Sequence, residues 1–337
     1  MSTQKITSME VAKLAGVSQS AVSRVFTPGA SSSKKTNELV RKAAAELGYR
    51  PNVLARSLIT GKSRMIGLVV AYLDNYFYPE ALELLSSALQ KKGYHVLIFM
   101  SGNKEGDIAE AVDEILDYQV DGIIAASVSM SSDLAKRCTS AGVPVVLFNR
   151  TQDDDRLSAV TSDNFQGGQK VARFLLAGGH KRIGYIAGWE GASTQRDREK
   201  GFTEELVRNG QELYAREVGN FNSDEARQAA RTMFSKKNFP DAVFVANDAM
   251  AIAVIDVIRF ELGLQVPEQV SVVGYDDVPI SSWPAYDLTT VRQPANRMVA
   301  ETVSILIESI ENKTTTARRV EIDGPLMVRG SAKISDK

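Results

Sequence analysis

The sequence is short of the residues that crosslink chains or carry out chemistry. It holds one cysteine, Cys138, and two histidines, His95 and His180, in 337 residues. A lone cysteine excludes an intrachain disulfide framework and fits a reducing compartment. His95 opens one apolar stretch and His180 precedes another. Neither has a nucleophile or metal-binding partner nearby in sequence, so both are expected to be structural. No run of 18 apolar residues occurs, so no membrane span is expected. The opening "MSTQKITSMEVAKLAG" lacks the apolar core of a secretory signal, and a cytoplasmic protein is expected. There is no G-x-G-x-x-G and no Walker A sequence. "GGQ" at 167–169 and "GGH" at 178–180 lie within or after helical patterns, not after a strand. Several aspartates close strands without a base or metal set beside them, and these read as binding groups. The sequence therefore predicts no enzyme, no cofactor and no metal.

What is present is unevenly distributed. The chain nets −1, yet residues 1–64 hold eleven cations and three anions, a surplus of +8 that leaves −9 for the rest. A basic head on an acidic body points to a polyanion-binding segment joined to a domain with another task; a solvated basic extension is the alternative.

The head reads as three short helices. Thr7 stands three residues before Glu10, a capping-box spacing, and the first helix ends at Gly16. Ser18 is placed to cap a second helix, Gln19 to Phe26, after the turn "GVS", which is helix-turn-helix spacing. Ser33 or Thr36 can cap a third helix, through "NELVRKAAAEL". Leu39, Val40, Ala43 and Leu47 are expected to complete the core, with Val22 and Val25 facing inward. In a helix-turn-helix the second helix enters the major groove, and its first residues touch base edges. Those residues are Gln19 and Ser20; glutamine can pair bidentately with adenine. Arg24, a turn later, can reach a guanine or a phosphate.

From Met65 onward strands and helices alternate. "MIGLVV", "GIIAAS" and "VPVVLFN" are near-continuous apolar runs, as buried parallel strands are. A second series, from "SAVTSD" to "VSVVGYD", repeats the pattern, and "TTVRQPANRMVAETVSILIESI" adds a strand and a long amphipathic helix. The fold class expected is an α/β body of two doubly wound parallel-sheet lobes, preceded by an all-α helix-turn-helix domain.

The stretches "VAKLAGVSQSAVSRVF", "GYRPN", "ARSL" and "TGKS" resemble the LacI/GalR (lactose-repressor/galactose-repressor) family of bacterial transcription regulators, and the resemblance extends over nearly the whole chain. It implies a DNA-binding domain over 1–49, a hinge helix over 50–63 and a two-lobed, periplasmic-binding-protein-like body over 64–337. The first lobe would take about 64–161 and 291–323, the second about 162–290 and 324–331. The implied DNA interface joins Thr7, Ser18, Gln19, Ser20, Ser23, Arg24, Thr36 and Tyr49 to the hinge residues Asn52, Ala55 and Leu58. Leu58 would wedge into the central base step, where unstacking is offset by a better-contacted, bent duplex. A hinge this short is not a stable helix alone and is expected to fold on DNA.

The body's ligand is expected in the cleft between the lobes, at the carboxyl ends of strands. The candidates are Asp74, Asn75, Phe77 and Tyr78 in the first strand–helix loop, then Asn149, Arg198, Phe221, Asn247 and Asp276; of these, the resemblance implies that Phe77, Tyr78 and Phe221 hold the family's pocket aromatics, Arg198 its arginine and Asn247 and Asp276 its acceptors. Amides, a guanidinium and carboxylates satisfy sugar hydroxyls, and rings stack on apolar sugar faces. Arg198 and Asp276 could instead form an ion pair within one lobe, Phe221 could be core, and Asn75 and Asn149 could be turn-formers. Trp283 could be either. Asp248 is expected to cap the following helix. Arg150, Arg196 and Arg198 would suit a carboxylated or phosphorylated sugar. The function implied is a repressor that binds a palindromic double-stranded DNA operator as a homodimer and is controlled by a small-molecule effector, a sugar or sugar derivative. A corepressed or activating regulator that answers to a non-sugar metabolite is the alternative. "RGSAKISDK" at the end carries no leucine-heptad extension, which favours a dimer over a tetramer.

Overall fold

The computed structural model describes residues 6–27, 30–50, 62–71, 73–101, 105–128, 130–152, 156–312 and 316–334. The chain divides into two compact units, Met1–Ser63 and Arg64–Lys337.

The first unit holds α1 (Ser8–Ala15), α2 (Gln19–Val25) and α3 (Lys34–Leu47). The Thr7 hydroxyl accepts from the Glu10 amide, and the Glu10 carboxylate accepts from the Thr7 amide at 2.7 Å, completing the capping box. Gly16 then turns left-handed at φ 67°, a conformation that glycine adopts without a Cβ clash. Ser18 caps α2 through the Ala21 amide at 3.2 Å, and Ser33 caps α3 through the Thr36 amide at 3.1 Å. Val11, Ala12, Val22, Val25, Val40, Ala43 and Ala44 form the core. Leu39 departs from expectation and is exposed. The buried stripe of α3 runs through Val40, Ala43, Ala44 and Leu47 at helical i, i+3, i+4, i+7 spacing, which leaves Leu39 one residue off the face. Asn52, Ala55 and Leu58 lie outside the described residues.

The second unit is two sheets. The first lobe runs β1 (Met65–Val70), α4 (Phe77–Lys91), β2 (His95–Met100), α5 (Glu105–Asp117), β3 (Gly122–Ala126), α6 (Ser132–Ser140), β4 (Val145–Phe148) and β5 (Ser158–Ser162). The second runs α7 (Asn164–Ala177), β6 (Ile183–Ala187), α8 (Ser193–Arg208), β7 (Ala215–Val218), α9 (Ser223–Phe234), β8 (Ala242–Val245), α10 (Asp248–Asp256), β9 (Ser271–Asp276) and β10 (Thr289–Arg292). The chain then returns through α11 (Ala295–Asn312) to β11 (Arg319–Ile322) in the first sheet and ends with β12 (Leu326–Met327) in the second. The sheet orders are β11-β5-β4-β3-β1-β2 and β12-β10-β9-β8-β6-β7. Among the described residues the strand pairings are parallel except that of β10 with β12. Strands β1, β3, β4, β6, β8 and β9 are buried on both faces, which is why they read as apolar runs.

The strand order reverses between β1 and β3 and again between β6 and β8. In open α/β sheets such reversals open a crevice at the carboxyl ends of the strands. One helix departs from its expected form: after Asp256 the turn widens into a π-helix over Val257–Glu261. In the second lobe α7 and α8 cross at glycines. A Cβ on Gly168 would lie 2.2 Å from the Arg198 carbonyl oxygen, and one on Gly201 would lie 2.0 Å from that of Phe165. Glycine is unfavourable inside a helix; here it permits backbone contact between two helices, one of which carries Arg198.

Candidate functional site

The head presents α2 with two different faces. Val22 and Val25 are buried, while Gln19, Ser20, Ser23 and Arg24 are exposed. The exposed positions repeat at i, i+1, i+4, i+5 and so share one side of the helix. The Gln19 amide donates to the Ser8 hydroxyl at 2.9 Å, and the Ser18 and Ser20 hydroxyls are 2.9 Å apart. Arg24 lies back along its helix, its Nε donating to the Ser20 carbonyl at 3.4 Å. Thr36 bonds the Ser33 hydroxyl, and Tyr49 packs on Phe26 with ring centroids 5.9 Å apart.

In the body the candidate residues gather at the carboxyl ends of the strands. Arg198, from α8, is 2% exposed. Its Nε donates to Asn164 Oδ1 at 2.8 Å and its Nη1 to the Ala246 carbonyl at 2.5 Å, and its guanidinium lies 3.6 Å from the Tyr275 ring centroid. Its Nη2 is 3.7 Å from Asp276 Oδ1. Asp276 also accepts from Gln293 Nε2 at 2.7 Å and, across the cleft, from Asn75 Nδ2 at 3.1 Å. Removal from water pushes the Asp276 carboxyl up to about 7, against the pull of the Arg198 charge.

Two more contacts join the lobes. The Thr151 amide donates to the Ser193 hydroxyl at 2.9 Å, and the Arg150 guanidinium sits 5.3 Å from the Trp189 ring centroid. A cavity of about 520 Å³ is lined from both lobes, by Phe77 and Glu80 of α4, by Asp276, by Arg292 at the end of β10, and by Gln293 and Ala295 beyond it.

Unspent hydrogen-bonding capacity occurs just beyond the carboxyl ends of β3, β4, β8 and β10. Among the described residues, Ser127 Oγ, Asn149 Oδ1, Asn247 Nδ2 and Gln293 Oε1 are buried without a hydrogen-bond partner. Such atoms are costly unless something satisfies them. The backbone is also held in unusual conformations at strand ends. The φ of Ser127 is 66°, of Asn149 61°, of Phe221 58° and of Asp276 128°. Left-handed φ at non-glycine residues costs free energy and concentrates at ligand sites.

The candidates fare differently. Asn75 forms its own turn, accepting from the Phe77 amide at 3.0 Å, and also donates to Asp276 at 3.1 Å. Phe77 and Tyr78 do not sit in a loop. They begin α4 and belong to the first-lobe core, with Phe77 stacked on Phe148 at 6.2 Å. Phe77 also borders the cavity, and the Tyr78 hydroxyl accepts from Asn149 at 3.2 Å. Asp74 is exposed. Phe221 packs against the second-lobe core, its ring against Gly188, where a Cβ would meet it at 2.2 Å. Trp283 is exposed.

The residue expected to cap α10 is not its cap. Asn247 takes that role through the Met250 amide at 3.0 Å. Asp248 is fully buried and accepts from the Val278 amide at 3.0 Å, Ser281 Oγ at 2.7 Å and Thr290 Oγ1 at 2.6 Å. The backbone at Asn247 is extended while that at Asp248 is helical, so only the former can turn its side chain back on the free amides. His180 is structural, buried with Nδ1 3.2 Å from Asp241; burial lowers its pKa. Among the described residues no group of three metal-binding side chains occurs, and no helix is long and apolar enough to cross a membrane.

Residues 7–52 match the model of the lacI family of bacterial regulatory proteins, and residues 172–332 match a periplasmic-binding-protein-like domain. The transcriptional repressor PurR of Pasteurella multocida (strain Pm70) is 30% identical over 96% of this chain and 98% of its own. The structure of the regulator CelR in complex with cellobiose is 31% identical, covers 97% of this chain and 100% of its own, and superposes with a TM-score of 0.73. The Lac repressor dimer bound to operator and the anti-inducer ONPF is 28% identical over 97% of this chain and 99% of its own, with a TM-score of 0.88. The chain belongs to the LacI family.

In this LacI-family chain the sequence pattern overlooked two residues that meet the central pair, Asn164 and Gln293. Asn164 stands at the start of α7 and reads there as a helix-start residue; Gln293 follows β10 and reads as a linker. Gln293 carries the one available signal, an amide directly at the end of a buried strand where the chain crosses between sheets.

Proposed function

We propose that this LacI-family regulator is a cytoplasmic, non-enzymatic repressor that binds a palindromic operator as a homodimer and is controlled by a sugar or sugar derivative in the interlobe cleft. One observation carries the effector reading. The buried Asp276 carboxylate is held by side chains of both lobes beside buried donors and acceptors that lack partners among the described residues. A polyhydroxylated ligand supplies both, because each hydroxyl donates and accepts. In this reading Arg198 and Asp276 bind ring hydroxyls, Asn75, Asn149 and Asn247 complete the polar lining, and Phe221 and Phe77 offer ring faces. Tyr78 acts by holding Asn149, and Asp74 lies at the rim.

The DNA reading rests on the exposed polar face of the capped helix α2. Gln19, Ser20 and Arg24 face bases or phosphates, and Thr7, Ser18, Ser23, Thr36 and Tyr49 flank them; Asn52, Ala55 and Leu58 form the hinge that enters the minor groove. Two subunits would place two such helices on two half-sites.

A thermal-shift screen of sugars, sugar acids and sugar phosphates tests the effector. A ligand of the folded cleft at 100 times its Kd adds about 2.7 kcal/mol of apparent stability. Stabilisation by a sugar that disappears in Arg198→Met supports the site. Equal stabilisation of both forms contradicts it.

A further inference from the structure

We infer that Ser8 is a positioning residue for DNA reading: its hydroxyl holds the Gln19 amide in the orientation in which it meets a base edge. The inference rests on the reading that α2 enters the major groove with Gln19 toward the bases. Ser8 is the first residue of α1 and Gln19 the first of α2, and their side chains meet across the turn at 2.9 Å. Ser8 is available for this because the cap of α1 is made by the neighbouring Thr7 with Glu10. Two further members of the exposed face are tied as well, Ser20 to Ser18 and Arg24 to the Ser20 carbonyl.

A free glutamine loses much rotamer freedom when it is ordered, and one ordered beforehand has less to lose on binding. Either way round, the bond to Ser8 consumes one capacity of the amide. It leaves an acceptor lone pair on Oε1 and at least one N–H on Nε2. That pair matches the N6 donor and N7 acceptor of adenine, the bidentate partner of a glutamine in the major groove. Guanine presents two acceptors there, and an amide so held cannot offer it two donors as easily as a freely rotating one. Ser8 thus sharpens selectivity at one base pair of each half-site without touching that base pair.

The test selects a randomised double-stranded DNA library with the full chain and with Ser8→Ala, Ser8→Thr, Gln19→Ala and the double variant Ser8→Ala/Gln19→Ala. Gln19→Ala is expected to erase adenine preference at one symmetric position. Ser8→Ala is expected to lower it roughly three- to tenfold, a part of full bidentate discrimination. Preferences elsewhere and the salt dependence should be unchanged, Ser8→Thr should restore the preference, and the double variant should match Gln19→Ala. If Gln19→Ala loses the preference and Ser8→Ala keeps it, or if Ser8→Ala weakens all sequences equally, the positioning role is overturned while the Gln19 reading stands. If Gln19→Ala changes no base preference, the reading beneath it falls too.

Discussion

Asp276 concentrates the chemistry of the cleft at the scale of a single side chain. It is buried among Arg198, Gln293 and Asn75, and loss of hydration raises its carboxyl from 3.8 to about 7. The folded body holds this proton to a higher pH than the unfolded chain does. The stability it contributes is therefore fully present below about pH 4 and is lost as pH rises toward 7. Urea unfolding between pH 4 and pH 7.5 should show this loss in the wild type and a flatter profile in Asp276→Asn. For an effector hydroxyl that donates to the carboxylate the sign is opposite, and its binding should tighten as pH rises through 7. Asp248, buried without a ligand role, ties α10 to the turn before Trp283 and to β10. Asp248→Ala leaves three donors without their acceptor and should cost about 3 kcal/mol in urea unfolding; Asp248→Asn should cost less. Arg198 and Asp276 were marked in the sequence by the family resemblance, and the structure sets them 3.7 Å apart. Asn164 and Gln293 were not, because a side chain's partner 34 or 17 residues away leaves no local trace.

Among the elements, helices with a capping signature and strands buried on both faces were plain in the sequence, because both patterns have local causes. The sequence also placed Phe77 and Tyr78 in a loop. The loop ends sooner, because Asn75 bonds the Phe77 amide and starts α4 there. The π turn after α10 has no periodicity signal, since it adds one residue to a helix whose apolar pattern continues. The α7–α8 crossing depends on contact that two glycines permit. Gly201→Ala should destabilise the body by about 1–3 kcal/mol, as overpacking does, and should also weaken effector binding, because α8 carries Arg198 one turn earlier. Calorimetric unfolding and ligand titration of the same variant check both; a stable variant with intact binding would show that the helices part without cost.

For the whole molecule, the central claim is that occupancy of the cleft controls DNA binding. Among the described residues the polar contacts that join the lobes include Asn75 and Gln293 with Asp276, Lys170 with Asp323, Thr151 with Ser193 and Arg150 with Trp189, so a ligand that joins the same strand ends can bias their relative position. Couplings of this kind are typically about 1–3 kcal/mol, roughly 5–150-fold in affinity. The sign of the effect lies in the balance between two states of the body and has no signature in the chain's pattern. The most direct test is the affinity of the full chain for its selected palindrome, measured at fixed salt with and without the sugar identified by thermal shift. The account predicts a change of at least fivefold that vanishes in Arg198→Met, whose operator affinity without sugar stays near wild type. An operator affinity unaffected by saturating sugar would contradict it.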